Sequence, residues 1–274
     1  LRVWHSIPSL LFCPYSTGNL LTQTEKLPLL ELNNIGKTFA ENIVALRDMS
    51  LAVHTGDFIS LLGPSGCGKS TALRILAGLT EPTVGKVNWH QKPTSGSIGI
   101  VFQEPTLMPW ATVAKNVWLP YRLHGKSFNK SMAKISHTLE LVGLKEFSQS
   151  YPRELSGGMK MRVSIARALV TDPKIILMDE PFAALDEITR FKLNNDLLKI
   201  REESGSTIIF VTHSVFESVF LSDRIAVMAA RPGRIIKELN IDEPYPRDEA
   251  FRTSSKYASM CRMTSEALKE SMDI

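Results

Sequence analysis

Residues 63–71 read GPSGCGKST, a glycine followed by four residues and then by Gly68, Lys69 and Ser70. This is the spacing of a phosphate-binding P-loop. Backbone N–H groups converge on phosphate oxygens only where glycines permit unusual angles and close approach, and Gly63, Gly66 and Gly68 supply that freedom. Pro64, Ser65, Cys67 and Thr71 complete the cradle, and Cys67 would be open to alkylation there. Lys69 would set its ammonium against the outer phosphates, and Ser70 would give its hydroxyl to Mg2+. The helix that begins here would turn its positive end to the anion. The chemistry expected is binding of a nucleoside triphosphate.

Two further groups fit that chemistry. Asp179 and Glu180 follow an apolar run, residues 174–178, that reads as a buried strand. Asp179 would hold Mg2+, directly or through water, while Glu180 would orient and partly deprotonate the water that attacks the γ-phosphate. Between the two motifs stands LSGG, residues 155–158, opening a basic helix. Ser156 would cap that helix, and Gly157 and Gly158 would let its amides approach an anion, giving an anion site without a P-loop of its own.

The positioning elements follow from periodicity. Residues 58–62 read as a strand into the P-loop, and residues 71–76 as a helix out of it. Short strands are expected at 29–32, 44–46 and 49–53, then at 87–89 and 98–102. From about Ala111 to Val170 the pattern is helical, with Met161, Ile165 and Leu169 on one apolar face and Arg162 and Arg167 off it. Strands return at 174–178 and 207–211 around a helix over roughly 187–203, so strands alternating with helices imply a mostly parallel sheet. Strands 224–228 and 235–238 flank a Pro-Gly turn at Pro232 and Gly233, and beyond Pro244 a loop and short helical tail are expected.

The 274 residues, 43% of them hydrophobic, suffice for a sizeable core. Net charge is +4 with charges spread along the chain, so no nucleic-acid partner is expected. The three cysteines, Cys13, Cys67 and Cys261, form neither a disulfide framework nor a metal spacing, which favours a reducing compartment. No run approaches the ~20 apolar residues that span a bilayer. Residues 1–28 read as a poorly ordered extension. Residues 6–12 before Cys13 faintly resemble a signal or lipoprotein sequence, against which stand Pro8 and the bulky Phe12. No methionine precedes Met49, so the start reads as misassigned, truncated or non-standard.

LSGG followed by a basic helix, in order between P-loop and acidic strand, resembles the signature of ATP-binding cassette (ABC) proteins, and the resemblance covers residues 29–238. It implies an α/β fold: a P-loop NTPase (RecA-like) core with a mostly parallel sheet, an N-terminal antiparallel β subdomain and an inserted helical subdomain. The nucleotide-binding domain would occupy 29–240, with the helical part at about 104–165 and a tail at 241–274. The resemblance implies ATP hydrolysis with Mg2+ in a head-to-tail dimer, where Ser156 completes the partner's site. Gln103 would sense metal, attacking water and transporter partner; Asp186, in Ala184-Leu185-Asp186, would signal across the dimer; and His213 would contact the γ-phosphate. Phe39 would stack on adenine, a buried aromatic being the rival reading. Met159 departs from the usual signature glutamine.

Residues 104–113, 178–190 and 211–234 look like importer ATPases of the nitrate, sulfonate and taurine group, whose relatives serve pyrimidine-type thiamin precursors. That implies a peripheral subunit on the cytoplasmic face of the membrane, bound to transmembrane permease subunits and served by a solute-binding protein. Met108, Pro109, Trp110 and Val113 would form the cleft for the permease, with core packing as the rival reading. Export is the competing direction, since the core chemistry is the same. A soluble cassette acting on nucleic acid or ribosomes is disfavoured by the lack of heptad arrays and of a second P-loop.

Overall fold

The computed structural model describes residues 27–273. The signal-like run at 6–12, Cys13 and most of the 1–28 extension lie outside the described residues. Six strands form the main sheet: β3 (Phe58–Leu62), β5 (Ile98–Val101), β6 (Ile175–Asp179), β7 (Thr207–Thr212), β8 (Arg224–Ala229) and β9 (Arg234–Asn240). Their order is β5-β6-β7-β3-β8-β9, parallel throughout except for the β8–β9 hairpin. A second, antiparallel sheet has the order β2-β1-β4, from β1 (Leu30–Thr38), β2 (Val44–Val53) and β4 (Val84–Trp89). The expected α/β P-loop architecture with an antiparallel N-terminal sheet is present.

Parallel strands buried on both faces read as continuous apolar runs, and their side chains still alternate between faces. Phe58 and Leu62, Ile176 and Met178, Ile208 and Phe210 enter one core cluster. Ile59 and Leu61, Ile175 and Leu177, Ile209 and Val211 enter the other. The second cluster is closed by α1 (Lys69–Leu76) and the antiparallel sheet, the first by the remaining helices. Each fully buried aliphatic contributes about 1.5–3 kcal/mol, so this alternation fixes the register of the strands that carry the site.

Four expectations are corrected in detail. The strands at 44–46 and 49–53 are one strand, continuous through an irregular register with Asp48 at a φ of +51°. The helical region is three helices, α2 (Val113–Leu123), α3 (Phe128–Leu141) and α4 (Gly157–Leu169), broken where Gly125 and Gly143 adopt positive φ. The helix after the P-loop begins at Lys69, two residues early, because Gly68 at a φ of +89° turns the chain directly into it. The tail is longer than expected. After α5 (Glu187–Ser204), α6 (Val215–Leu221) and the short α7 (Glu249–Arg252), α8 (Ser255–Glu270) places Tyr257, Cys261 and Ala267 in the core. No helix among the described residues is long and apolar enough to cross a membrane.

Candidate functional site

The sheet register gathers the chemistry at one edge. Leu62 pairs with Thr212, Val211 with Asp179, and Met178 with Val101, so the carboxyl ends of β3, β7, β6 and β5 lie side by side. From these ends emerge the P-loop, His213, Glu180 and Gln103 in turn. Ligands of open parallel sheets bind in this position.

The P-loop packs tightly on its supports. A Cβ on Gly63 would lie 2.7 Å from both Cys67 Sγ and the Met228 carbonyl. Lys69 is 4% exposed, its Nζ donating to the carbonyls of Gly63 at 2.8 Å and Pro64 at 3.0 Å. The helix it opens has a particular feature. Among the eight α-helices of the described residues, α2 to α8 each begin with a side-chain acceptor, and α1 begins on Gly68 without one. Its first amides are left for an external anion.

Facing the loop, Ser70 Oγ donates to Asp179 Oδ1 at 2.8 Å. Burial raises the Asp179 carboxyl above its usual range, and the Ser70 hydrogen bond opposes that shift. Glu180 lies between two cationic or polar groups: Oε1 is 3.7 Å from Lys69 Nζ, and Oε2 is 3.2 Å from His213 Nδ1. Its backbone holds a φ of +45°, sparsely populated for a side-chain-bearing residue, with its N–H pinned to the Val211 carbonyl at 3.0 Å.

Cys67 contradicts the expectation of alkylation sensitivity. It is fully buried, and burial pushes its thiol pKa up, whereas the thiolate is the reactive form. Phe39 stands at the end of β1, 46% exposed, with Lys37 Nζ 5.2 Å from its ring centroid.

Other residues of the motif set lie apart from this edge. Ser156 caps α4, accepting from Met159 N at 3.3 Å, and both Ser156 and Gly157 are exposed. A Cβ on Gly158 would lie 2.7 Å from Thr189 Cγ2, so this glycine lets α4 approach the start of α5. Asp186 caps α5, accepting from Thr189 N at 2.9 Å, and this bond lowers its pKa. No hydrogen bond or ion pair among the described residues joins residues 156–158 to residues 63–71.

Gln103 is exposed two residues past β5, and the loop after it is firmly held. Arg167 of α4 donates to the carbonyls of Pro105 at 2.8 Å and Thr106 at 2.9 Å. Asn116 of α2, fully buried, accepts from Met108 N at 2.7 Å and donates to the carbonyls of Met108, Ala111 and Thr112. Trp110 at the tip of this loop is 76% exposed, while Val113 is buried. Exposed Phe147 and Tyr151 adjoin, on a segment whose Ser148 and Ser150 carbonyls accept from Ala114 and Val113. Asn116 and Arg167 were missed as site residues. An amide on the apolar stripe Val113, Val117 and an arginine off the apolar face of α4 were the available signals.

The sequence pattern of the ABC transporter family matches residues 46–183. An uncharacterized ABC transporter ATP-binding protein of Methanocaldococcus jannaschii is 47% identical over 88% of this chain and 91% of its own length. The chain belongs to the ABC transporter family. The nitrate import ATP-binding protein NrtD of Synechocystis is 42% identical, over 81% of this chain and 88% of its own. The aliphatic sulfonates import ATP-binding protein SsuB 2 of Pseudomonas syringae pv. tomato is 44% identical, over 85% and 94%. Among solved structures, a dimeric ATP-binding cassette in a post-hydrolysis state bound to ADP and Pi matches with TM-score 0.69 and 34% identity, over 78% of this chain and all of that one. CbiO1 of Clostridium perfringens, part of an ABC transporter complex, matches with TM-score 0.72 and 26% identity, over 89% and 99%.

Proposed function

We propose that this chain is the ATP-hydrolysing subunit of an importer for a small anionic solute, acting as a head-to-tail dimer against membrane permease subunits. The ATPase class follows from the family; the residue roles, Mg2+, the membrane location and the solute are our reading. The observation that carries it is the Glu180 carboxylate suspended between Lys69 and His213, beside the Ser70–Asp179 pair.

Residues 63–71 and the uncapped start of α1 cradle the phosphates, with Lys69 at their outer end. Phe39 offers its exposed ring to the adenine. Glu180 takes the proton of the attacking water, and His213 holds the far side of that carboxylate and reaches the γ-phosphate. The hydroxyl of Ser70 and carboxylate of Asp179 are adjacent hard oxygen donors suited to Mg2+, and Gln103 is the third candidate. When bound, Mg2+ would neutralise charge on the phosphates. Ser156 and Gly157, exposed at the start of α4, with Gly158 buried beneath them, would close over the nucleotide of the second copy, with Asp186 at the adjoining turn. Within the family pattern we assign the nucleotide-binding domain to residues 29–240 and its helical part to about 104–165.

Trp110, Phe147 and Tyr151 form the exposed apolar surface for a permease helix, joined to the ATP edge through the Gln103 loop that Asn116 and Arg167 brace. The direction and solute class rest on the similarity to nitrate and aliphatic sulfonate import proteins. The test is uptake by vesicles containing the permease, this subunit and the solute-binding protein, comparing wild type with Trp110→Glu. Burying that charge costs several kcal/mol, so the variant should lose transport and stimulated hydrolysis while the isolated subunit still binds ATP. Normal uptake by the variant removes Trp110 from the interface, and outward pumping by wild type overturns the importer reading.

A further inference from the structure

His213 makes one side-chain hydrogen bond among the described residues, with Glu180 Oε2 at 3.2 Å, and its ring is otherwise about half exposed. Its place at the nucleotide edge is therefore set by its backbone, and neighbouring side chains fix that backbone. Thr212 Oγ1 accepts from Ser214 N at 3.0 Å, closing the chain around His213, and donates to Glu217 Oε2 at 2.6 Å. Ser214 Oγ in turn accepts from Glu217 N at 3.3 Å. In an ordinary capping box the acid three residues into the helix accepts directly from the N–H of the capping residue. Here the Thr212 hydroxyl stands between the two, so Glu217 holds the residue before His213 as well as the one after it.

Glu217 is also tied to α5. It is 6% exposed, and its other oxygen, Oε1, stands 3.4 Å from Arg190 Nε in a buried charge pair that makes no hydrogen bond. The same guanidinium donates from Nη2 to the carbonyl of Leu185 at 3.1 Å, and Leu185 is the residue before Asp186. That turn starts at Glu180 and is closed by two backbone bonds, from Ala183 N to the Glu180 carbonyl at 3.2 Å and from Leu185 N to the Phe182 carbonyl at 3.1 Å. The contacts form a ring: Glu180, the turn to Asp186, Arg190, Glu217, Thr212, His213 and Glu180 again. Two routes therefore set Glu180 against His213, the direct 3.2 Å contact and a longer path through the turn that carries Asp186.

We propose that Arg190 and Glu217 are positioning residues that make the stance of His213 depend on the turn carrying Asp186. A planar guanidinium presents its N–H donors in a fixed fork, so Arg190 grips the turn with one arm and faces Glu217 with another. Glu217 is shielded from water and has no other cation within ion-pair distance among the described residues. A buried charge that loses its partner is costly, so the carboxylate follows Arg190 when the turn shifts. Thr212 then carries that shift into the loop on which His213 stands. In the proposed dimer the Asp186 turn faces the second copy, which ties the placing of His213 against the γ-phosphate to closure of the dimer. The inference rests on the proposed role of His213, and the experiment separates the two.

The test follows single-turnover phosphate release by the full chain, which keeps slow variants measurable, together with ATP binding and thermal melting. Arg190→Lys keeps a cation opposite Glu217 and gives up the second arm to Leu185. Glu217→Gln keeps an acceptor for Thr212 and gives up the charge that faces Arg190. Each should slow hydrolysis by roughly 2- to 30-fold, with ATP affinity and melting temperature close to wild type. In a His213→Ala background the same substitutions should slow it no further, because the group that they position is gone. Hydrolysis at the wild-type rate by both variants overturns the inference. Equal slowing with and without His213, or a loss of ATP affinity and melting temperature in step with rate, makes the pair a plain pin of α5 to α6 and overturns it too. His213→Ala hydrolysing as fast as wild type would instead remove the proposed role of His213, and the inference with it.

Discussion

The helices α1 and α4 both start on glycines with a serine and a basic residue close by, yet their surroundings differ. At α1 no side chain caps the amides, and Lys69, Asp179, Glu180 and His213 converge from three strands of the same chain. At α4 Ser156 caps the helix, and Ser156 and Gly157 face solvent, with no hydrogen bond or ion pair to the P-loop among the described residues. The first terminus sits inside a site that its own chain builds. In the proposed function the second is an anion-binding surface that becomes a site only against another molecule. A solved relative is dimeric and bound to ADP and Pi, and in the proposed function that molecule is a second copy of this chain.

Breaking the first region should have the larger effect. Glu180→Gln removes the proton acceptor and leaves the cradle of residues 63–71 intact, so steady-state hydrolysis should fall by about 10²- to 10⁴-fold while ATP binding persists. Phosphate release and equilibrium binding of labelled ATP check this pair of outcomes. Hydrolysis at the wild-type rate would take Glu180 out of the reaction.

The part of the site outside the main sheet should matter less. Phe39→Ala removes an exposed ring, so affinity for ATP should drop by roughly 0.5–1.5 kcal/mol, about two- to tenfold, with little change in melting temperature. Early melting with normal ATP affinity would place Phe39 in the core instead.

A smaller effect sharpens the electrostatic side of the contrast. Because burial raises the Asp179 pKa in the folded chain, the native state holds that proton more tightly than the unfolded one. Its contribution to stability is complete below the unfolded value of about 4 and is lost as pH rises through the raised folded value. Nucleotide-free Asp179→Asn should therefore melt higher than wild type at neutral pH, and the advantage should shrink toward pH 4. Thermal unfolding across that range decides it, and an Asn variant that melts lower at neutral pH would show that the Ser70 hydrogen bond outweighs burial.

The strand-borne half of the site was legible because each element announces itself locally. An apolar run, then glycines or acids, then a new periodicity mark residues 58–71 and 174–180, and parallel pairing brings their ends together. What was not legible depends on contacts distant in sequence. The bracing of the Gln103 loop by Asn116 and Arg167 comes from two helices that the sequence shows only as parts of a longer helical region. The burial of Cys67 follows from Met228 and the P-loop closing over it, which the GPSGCGKST string alone does not show. Likewise, Glu217 reads as an ordinary helix acid in VFESVFL until α5 and the tail enclose it.

The central claim, that the α1 site is completed by the α4 terminus of a second copy, is tested most directly with a mixed dimer. One subunit carries Ser156→Arg and the other Lys69→Ala, assembled with the permease. Shared sites leave one composite site with both lesions and one with neither, so the heterodimer should bind ATP at the undamaged site with wild-type affinity. If each chain instead built its whole site alone, both sites would be damaged, and the loss of all wild-type-affinity binding would contradict the account.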